Sequence, residues 1–280
     1  MLNLAVIVPV RNAERMIHGC LDSIVRAEPR EIIIVDGKST DRTLEIARNY
    51  PVRILSDDGL GVAAARMIGV RAASTPHVAL IDVDIVLPDG ALAALLEEFI
   101  QDQYAALQAG LNSVSGDGYW GHALVDHHRL GRSKNWPGVM ATIFDRELLL
   151  RYGLDERFLS GEDIELRWRL RRGGERLGVS RRTIVTHRYD DTFEFALGQW
   201  IADGHGLGRM ICKFGWSAAF LLALPLAGSL RGTLLSLVRL QPQWLLYYTC
   251  YLIFNYIAMF SEFGSQWKQR TPLREVEGQL

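Results

Sequence analysis

Cysteine is scarce in this 280-residue chain: Cys20, Cys212 and Cys250 are odd in number and far apart. They build neither a disulfide framework nor the paired spacing of a zinc site, which points to a reducing compartment. A basic excess is missing too. Lys and Arg number 31 against 32 Asp and Glu, a formal net charge of -1. With no surplus to neutralise a phosphate backbone, nucleic acid is not the expected partner. A secretory leader is also lacking: Met1-Leu2-Asn3-Leu4 carries no basic residue, and the first apolar run, Leu4 to Val8, stops at Pro9. The expectation is a protein that works in the cytoplasm. Repeats and low-complexity tracts are absent. What is present is 49% hydrophobic and 22% charged residues, a composition that packs a core.

The first ninety residues alternate strand and helix patterns. Leu4 to Val8 and Glu31 to Val35 are apolar runs expected for strands buried on both faces. Val52 to Leu55 and His77 to Ile81 give two more. Between them, Asn12 is placed to cap a helix carrying Ile17, Leu21, Ile24 and Val25 at helical spacing. Ser39 or Asp41 opens a short helix through Ile46, and Gly61 to Ala73 reads as an alanine-rich helix. Strands separated by helices of this length predict an α/β fold with parallel strands and right-handed crossovers. Ligands bind such sheets beyond the strands' carboxyl ends. Arg11 with Asn12, Asp36, and Asp82 with Asp84 stand at those ends. Further on, a helix is expected from Asp89 to about Gln101, a strand over Ala105 to Leu111, a loop at Gly116 to Gly121, and a charged helix from Glu162 to Arg172.

Three constellations can carry chemistry. Strand alternation sends the carboxylates of Asp82-Val83-Asp84 to one side, where both can face a divalent cation and a diphosphate. The plainer reading is two surface aspartates at a strand end. Glu162 and Asp163 open a helix, where acids suit the free N–H groups and the dipole; alternatively Asp163 is a general base. His187 follows the strand-like Thr183 to Thr186 and is either a structural hydrogen-bonder or the partner of Asp84 in a mixed carboxylate–imidazole metal site.

Five segments in order resemble family-2 glycosyltransferases with the GT-A fold: Val8-Pro9-Val10-Arg11-Asn12, Val35 to Thr43, Gly61 to Arg66, Ile81 to Asp84, and Gly161 to Leu166. The resemblance covers about residues 3 to 190. It implies a Rossmann-like, mixed but mostly parallel sheet flanked by helices, and an inverting enzyme that uses a nucleotide-sugar donor with Mn2+ or Mg2+. By the same resemblance Pro9, Arg11 and Asp36 line the base pocket and Arg66 lies near the base and diphosphate. Asp82 contacts ribose or metal, Glu162 belongs with the donor-binding residues, Asp84 and His187 hold the metal, and Asp163 is the base. The chain departs from the family at Asp36-Gly37-Lys38-Ser39, where Asp-Asp-Gly-Ser is common. Specificity is expected in the loop Ser113 to Pro137, with Trp120, His122, His127, His128 and Trp136.

From Trp216 onward the chain is far more apolar. This suggests a catalytic region over 1–192 and a helical appendage over 193–280. The glycines 204, 206 and 208 do not follow a strand and are a poor match to a phosphate loop. Trp216 to Leu230 and Trp244 to Phe260 are each short of the roughly 20 residues of a spanning helix, and Arg231 to Gln243 suits an interfacial helix. A membrane hairpin, an interfacial pair and a homo-oligomer interface stay open. Flanking aromatics with Lys268, Arg270 and Arg274 favour a membrane with the tail cytoplasmic, and hence a lipid-linked or glycan acceptor. Two other classes compete: a sugar-nucleotide nucleotidyltransferase, which would need a glycine-rich basic loop where Pro9-Val10-Arg11-Asn12 stands, and a catalytically silent membrane-assembly scaffold.

Overall fold

The computed structural model describes residues 1–130, 137–158 and 160–270. The chain divides into a compact unit spanning Met1–Ala196 and a second beginning at Leu197. In the first, eight strands form one sheet: β1 (Leu2–Val10), β2 (Pro29–Asp36), β3 (Arg53–Ser56), β4 (His77–Leu80), β5 (Ile85–Val86), β6 (Ala106–Ser115), β7 (Thr142–Asp145) and β8 (Leu177–Tyr189). Their spatial order is β3-β2-β1-β4-β7-β6-β8-β5. The first four are parallel, β7 runs antiparallel to both β4 and β6, β8 lies parallel to β6, and β5 closes the edge antiparallel to β8. This is the mixed, mostly parallel sheet that the sequence predicts.

Among the described residues, seven α-helices belong to this sheet: α1 (Ile17–Arg26), α2 (Thr43–Ala47), α3 (Val62–Ala72), α4 (Ala91–Gln101), α5 (Tyr119–Leu130), α6 (Arg146–Tyr152) and α7 (Glu162–Arg172). Strand alternation divides the core in two. Leu4, Val6 and Val8 of β1 pack with Ile17, Leu21 and Ile24 of α1 and Leu95 and Phe99 of α4. Ala5 and Ile7 pack on the other face with Met67 and Val70 of α3 and Leu166 and Leu170 of α7. Both faces of β1 are therefore covered, which is why its middle is an unbroken apolar run.

Several expectations need correction. Asn12 does not cap α1: the helix starts later, after Met16, without a side-chain cap. Asn12 instead has φ of 50° and turns its carboxamide away to Thr40. The loop expected at Gly116 to Gly121 holds the start of α5 at Tyr119, the loop expected over Ser113 to Pro137 is helical from Tyr119 to Leu130, and its Trp136 lies outside the described residues. β7 and α6 went unforeseen, β7 being only four residues long. β8 is far longer than Thr183 to Thr186 because its polar middle conceals a bulge, where the Ser180 hydroxyl accepts from the N–H groups of Arg182 and Thr183.

The second unit is helical: α8 (Phe193–Phe214), a 3-10 stretch over Gly215–Ala223, α9 (Leu224–Val238), a short 3-10 turn at Pro242–Trp244, and α10 (Leu245–Arg270). Among the described residues, one helical run, Phe193–Val238, is long and apolar enough to cross a membrane. Glycines four apart let helices approach closely. A Cβ at Gly204 would overlap the Asn255 carbonyl and the Ala258 methyl, one at Gly208 would press on Glu262, and one at Gly232 would overlap the Tyr248 ring. The glycines near residue 204 thus serve helix packing against α10.

In the first unit, α3 crosses β1 at Gly69, where a Cβ would overlap Ile7 Cγ2. Gly69→Ala is expected to lower stability by about 1–2 kcal/mol, overpacking outweighing the gain in helix propensity. Urea unfolding monitored by tryptophan fluorescence checks this; an unchanged midpoint would count against close α3–β1 packing.

Candidate active site

The loops beyond β1 and β2 are laced together. Asn12 N–H donates to Ser39 Oγ (2.9 Å), Asn12 Oδ1 accepts from Thr40 N–H (2.8 Å), and Ala13 N–H donates to Thr43 Oγ1 (2.7 Å). Asp41 accepts from the N–H of Thr43, opening α2, and from that of Glu14. Asp36 is buried at the end of β2, and its two oxygens accept from Ser39 N–H at 3.3 and 3.2 Å. Beside it Lys38 takes a left-handed conformation, φ 62°, in a turn built from Asp36-Gly37-Lys38-Ser39. Pro9 is half-buried and Arg11 is exposed at the neighbouring strand end. One organiser of this rim went unnoticed in the sequence. Asp57, almost fully buried, accepts from Gly59 N–H (2.8 Å) and Gly61 N–H (3.0 Å), fixing the entry to α3. The turn chemistry of Asp57-Asp58-Gly59-Leu60-Gly61 was the available signal.

Arg66 of α3 is 3% exposed and lies between two acids. Its Nη2 donates to Asp82 Oδ1 at 2.6 Å, and its Nη1 donates to Glu162 Oε1. Burial alone would lower the guanidinium pKa, but Asp82 and Glu162 outweigh it and hold Arg66 above the usual arginine value. Glu162 is buried too; burial pushes its carboxyl up against the opposing pull of Arg66, and Asp163 adds to the rise. The carboxylate of Glu162 is thus engaged by Arg66, and Arg66 by Glu162 and Asp82.

The two aspartates of Asp82-Val83-Asp84 do not follow strand alternation, because β4 ends at Leu80. They occupy a turn closed by Ile85 N–H donating to the Asp82 carbonyl (3.0 Å). Asp82 faces Arg66, whereas Asp84 faces β8, where His187 Nε2 lies 3.3 Å from Asp84 Oδ2. Asp84 Oδ1 is buried and has no hydrogen-bond partner among the described residues. Behind His187, Nδ1 lies 3.5 Å from Ser113 Oγ, which is 2.8 Å from His128 Nδ1. Burial, with Asp84 adding, raises the Cys20 thiol pKa, so it stays protonated and points at the Asp82 carbonyl (3.7 Å). Next to Asp84 is a cavity of about 320 Å³ whose lining includes Arg11, Asn12, Arg15, Asp84 and Arg188.

Asp163 sits in the first turn of α7, half-buried, with Arg167 one turn on. A Cβ on Gly138 would lie 3.1 Å from Asp163 Oδ2 and 3.2 Å from Gln108 Oε1, so the glycine leaves room for the carboxylate. Gln108 Oε1 itself accepts from Gly138 N–H (2.5 Å). An orphaned carboxylate oxygen beside an imidazole is a donor set for a hard-to-borderline cation such as Mn2+ or Mg2+. No group of three or more His, Cys, Asp or Glu that could hold a metal occurs among the described residues, so Asp84 and His187 would need oxygens from a ligand to complete a shell.

A mixed, mostly parallel sheet with acidic groups beyond its carboxyl ends is the GT-A architecture. A mannosyltransferase from Pyrobaculum calidifontis, solved with GDP-Man and Mn2+, superposes with a TM-score of 0.66 at 21% identity, over 92% of this chain and 87% of that one. Residues 5–158 match Glycosyl transferase family 2. The chain belongs to that family. EpsJ of Bacillus subtilis, an uncharacterised glycosyltransferase, is 31% identical over 121 residues, which are 41% of this chain and 35% of EpsJ. The pre-mycofactocin glycosyltransferase of Mycobacterium tuberculosis is 27% identical over 216 residues, 71% of this chain and 45% of that one. The chain therefore spans less than half the length of these two curated relatives.

Removing Arg66 leaves two carboxylates with no counter-charge, one of them buried. Arg66→Met is expected to destabilise the first unit by about 3–5 kcal/mol. A double-mutant cycle of Arg66→Met with Glu162→Gln, read by chemical unfolding, checks this; additive losses would show that the pair is not coupled.

Proposed function

We propose that the chain transfers a sugar, with inversion, from a nucleoside-diphosphate donor to a hydroxyl acceptor, and that Asp84 and His187 hold a divalent cation while Asp163 is the base. The observation that carries this reading is the buried, unpartnered Oδ1 of Asp84 beside His187, next to a cavity lined by Arg11, Arg15 and Arg188 together with Glu14, Asp41 and Asp190. Family membership supports it further. Pro9, Arg11 and Asp36 mark the rim for the nucleotide base, and Asp82, held by Arg66, faces the ribose side.

A bound Mn2+ or Mg2+ would offset the charge that builds on the diphosphate as the sugar–oxygen bond breaks. The chain's own residues do the rest. Arg11, exposed on the cavity wall, supplies a cationic contact for a diphosphate, while Arg15 is paired with Asp190 at 3.8 Å. Asp163 removes the proton of the attacking hydroxyl while that oxygen forms its bond to the anomeric carbon opposite the leaving diphosphate. A single displacement inverts the configuration. The nucleotidyltransferase alternative lacks the glycine-rich basic loop it would need after β1, and a silent scaffold has no use for both Asp84 and Asp163.

For the helical unit we propose attachment to the cytoplasmic face of a membrane, with a lipid-linked or glycan acceptor. Much of its outer surface is apolar, and a few polar side chains lie inside. Leu226, Leu230 and Leu234 of α9 and Ile253, Ile257 and Phe260 of α10 are exposed, while Asn255 and Glu262 are buried. The basic residue Arg274, expected to mark a cytoplasmic tail, lies outside the described residues.

Purified protein incubated with a panel of nucleotide sugars, Mn2+ and a lipid extract is expected to release nucleoside diphosphate. Asp163→Asn should lower kcat about 10²–10⁴-fold, and Asp84→Ala should abolish the Mn2+ dependence. Absence of release with every donor would leave the scaffold reading standing. For the membrane, Leu230→Glu with Leu234→Glu is expected to prevent flotation with anionic vesicles while leaving the melting temperature of the first unit unchanged. Full flotation of that variant would argue for a protein partner on α9.

A further inference from the structure

All three carbonyls of Asp82-Val83-Asp84 are held on the side of the turn that faces α1 and β8. The Asp82 carbonyl faces the Cys20 thiol; the Val83 carbonyl accepts from Arg188 Nη2 (3.3 Å); the Asp84 carbonyl accepts from Arg188 N–H (3.0 Å), with Nε at 3.4 Å. The same Nη2 also donates to the Met16 carbonyl at 2.7 Å, in the turn before α1. Arg188 therefore ties three pieces of chain together: the segment leading into α1, the Asp82–Asp84 turn, and β8, where its neighbour His187 stands. The chain makes room for the guanidinium at Gly19, where a Cβ would lie 3.0 Å from Nη1.

We propose that Arg188 is a positioning residue: by occupying the carbonyl side of the turn, it fixes the Asp84 carboxylate toward His187 in the geometry that accepts the cation. The inference rests on the reading of Asp84 and His187 as metal ligands. A planar fork fits this task, because it reaches two or more carbonyls at once, which a single ammonium does not. Carbonyl oxygens are themselves ligands for hard cations. With the Val83 carbonyl on the guanidinium, and the Asp84 carbonyl on the Arg188 backbone N–H with Nε at 3.4 Å, the carboxylate is left as the oxygen ligand this turn presents. Groups one step beyond the ligands commonly govern metal affinity in this way.

Two variants separate this role from mere folding. Arg188→Lys keeps the charge and loses the fork. Gly19→Ala crowds the guanidinium from behind, and alanine is the better helix former at that position. The full chain is titrated with Mn2+ at saturating UDP, and in parallel GDP, reading the rise in melting temperature; nucleotide binding in EDTA is measured by calorimetry. The Mn2+ concentration for half-maximal stabilisation is expected to rise about tenfold in Arg188→Lys and by a smaller factor in Gly19→Ala. Binding in EDTA should stay at the wild-type level, and Asp84→Ala should lose the Mn2+ response. If Asp84→Ala loses the response while the other two keep the wild-type midpoint, the positioning role is overturned. Weakened nucleotide binding in EDTA for Arg188→Lys overturns it in favour of direct phosphate contact. No Mn2+ response in the wild type, or an equal one in Asp84→Ala, sinks the metal reading instead. Should Arg188→Lys fail to fold, Gly19→Ala decides.

Discussion

The candidate site depends on one buried cation. Arg66, on α3 beneath the strand ends, is out of water and held by Asp82 on one side and Glu162 on the other. A buried guanidinium is tolerable when its charge is compensated, and the two acids do this through Nη1 and Nη2. Such a pair adds little net stability compared with well-packed apolar residues. What it does is geometric. It joins three segments distant in sequence, and the two carboxylates proposed to do chemistry lie next to its anchors: Asp84 is two residues from Asp82, and Asp163 follows Glu162.

The turn at Asp82-Val83-Asp84 adds the second constraint. A strand would aim both carboxylates at one target, and the sequence pattern invited that reading. A turn lets them diverge. Asp82 serves the arginine network and Asp84 serves His187 of β8, while the carbonyls of Asp82 and Val83 meet the Cys20 thiol and the Arg188 guanidinium. An acidic pair that looks symmetric in sequence is thus divided between a structural ion pair and a proposed ligand, and the division comes from β4 ending two residues before the first aspartate.

The parallel half of the sheet was legible because β1 and β2 are buried on both faces, and such strands are written as continuous apolar runs. Helix α7 was legible to its ends through its acidic first turn and basic last turn. The rest hid for physical reasons. β7 is too short to show a period, and β8 carries Ser180, Arg181 and Arg182 through a bulge, so hydrophobic alternation fails there. Asp84, His187 and Asp163 could be nominated from their order along the chain. Their supporting partners could not. Ser113, His128, Gln108 and Arg188 act through contacts between residues 15 to 172 apart in sequence, and nothing local to any of them announces that use.

The helical unit follows a different logic. In water, burial of apolar side chains holds helices together, and the polar residues are left outside. Here close approaches are made at glycines, and beside the buried Trp200, Met210, Tyr247 and Met259 the interior keeps Asn255 and Glu262, the latter paired with the partly buried Arg209 and His205. Leucines and isoleucines line the outside of α9 and α10 instead. In an apolar surrounding the hydrophobic drive between helices vanishes, and small residues, close backbone contact and interior polar bonds take its place. These features are what support the proposed placement of the unit at a membrane. The two apolar segments that looked too short to span in sequence therefore matter less for their length than for the surface they present, and that surface is what supports placing the unit at a lipid boundary.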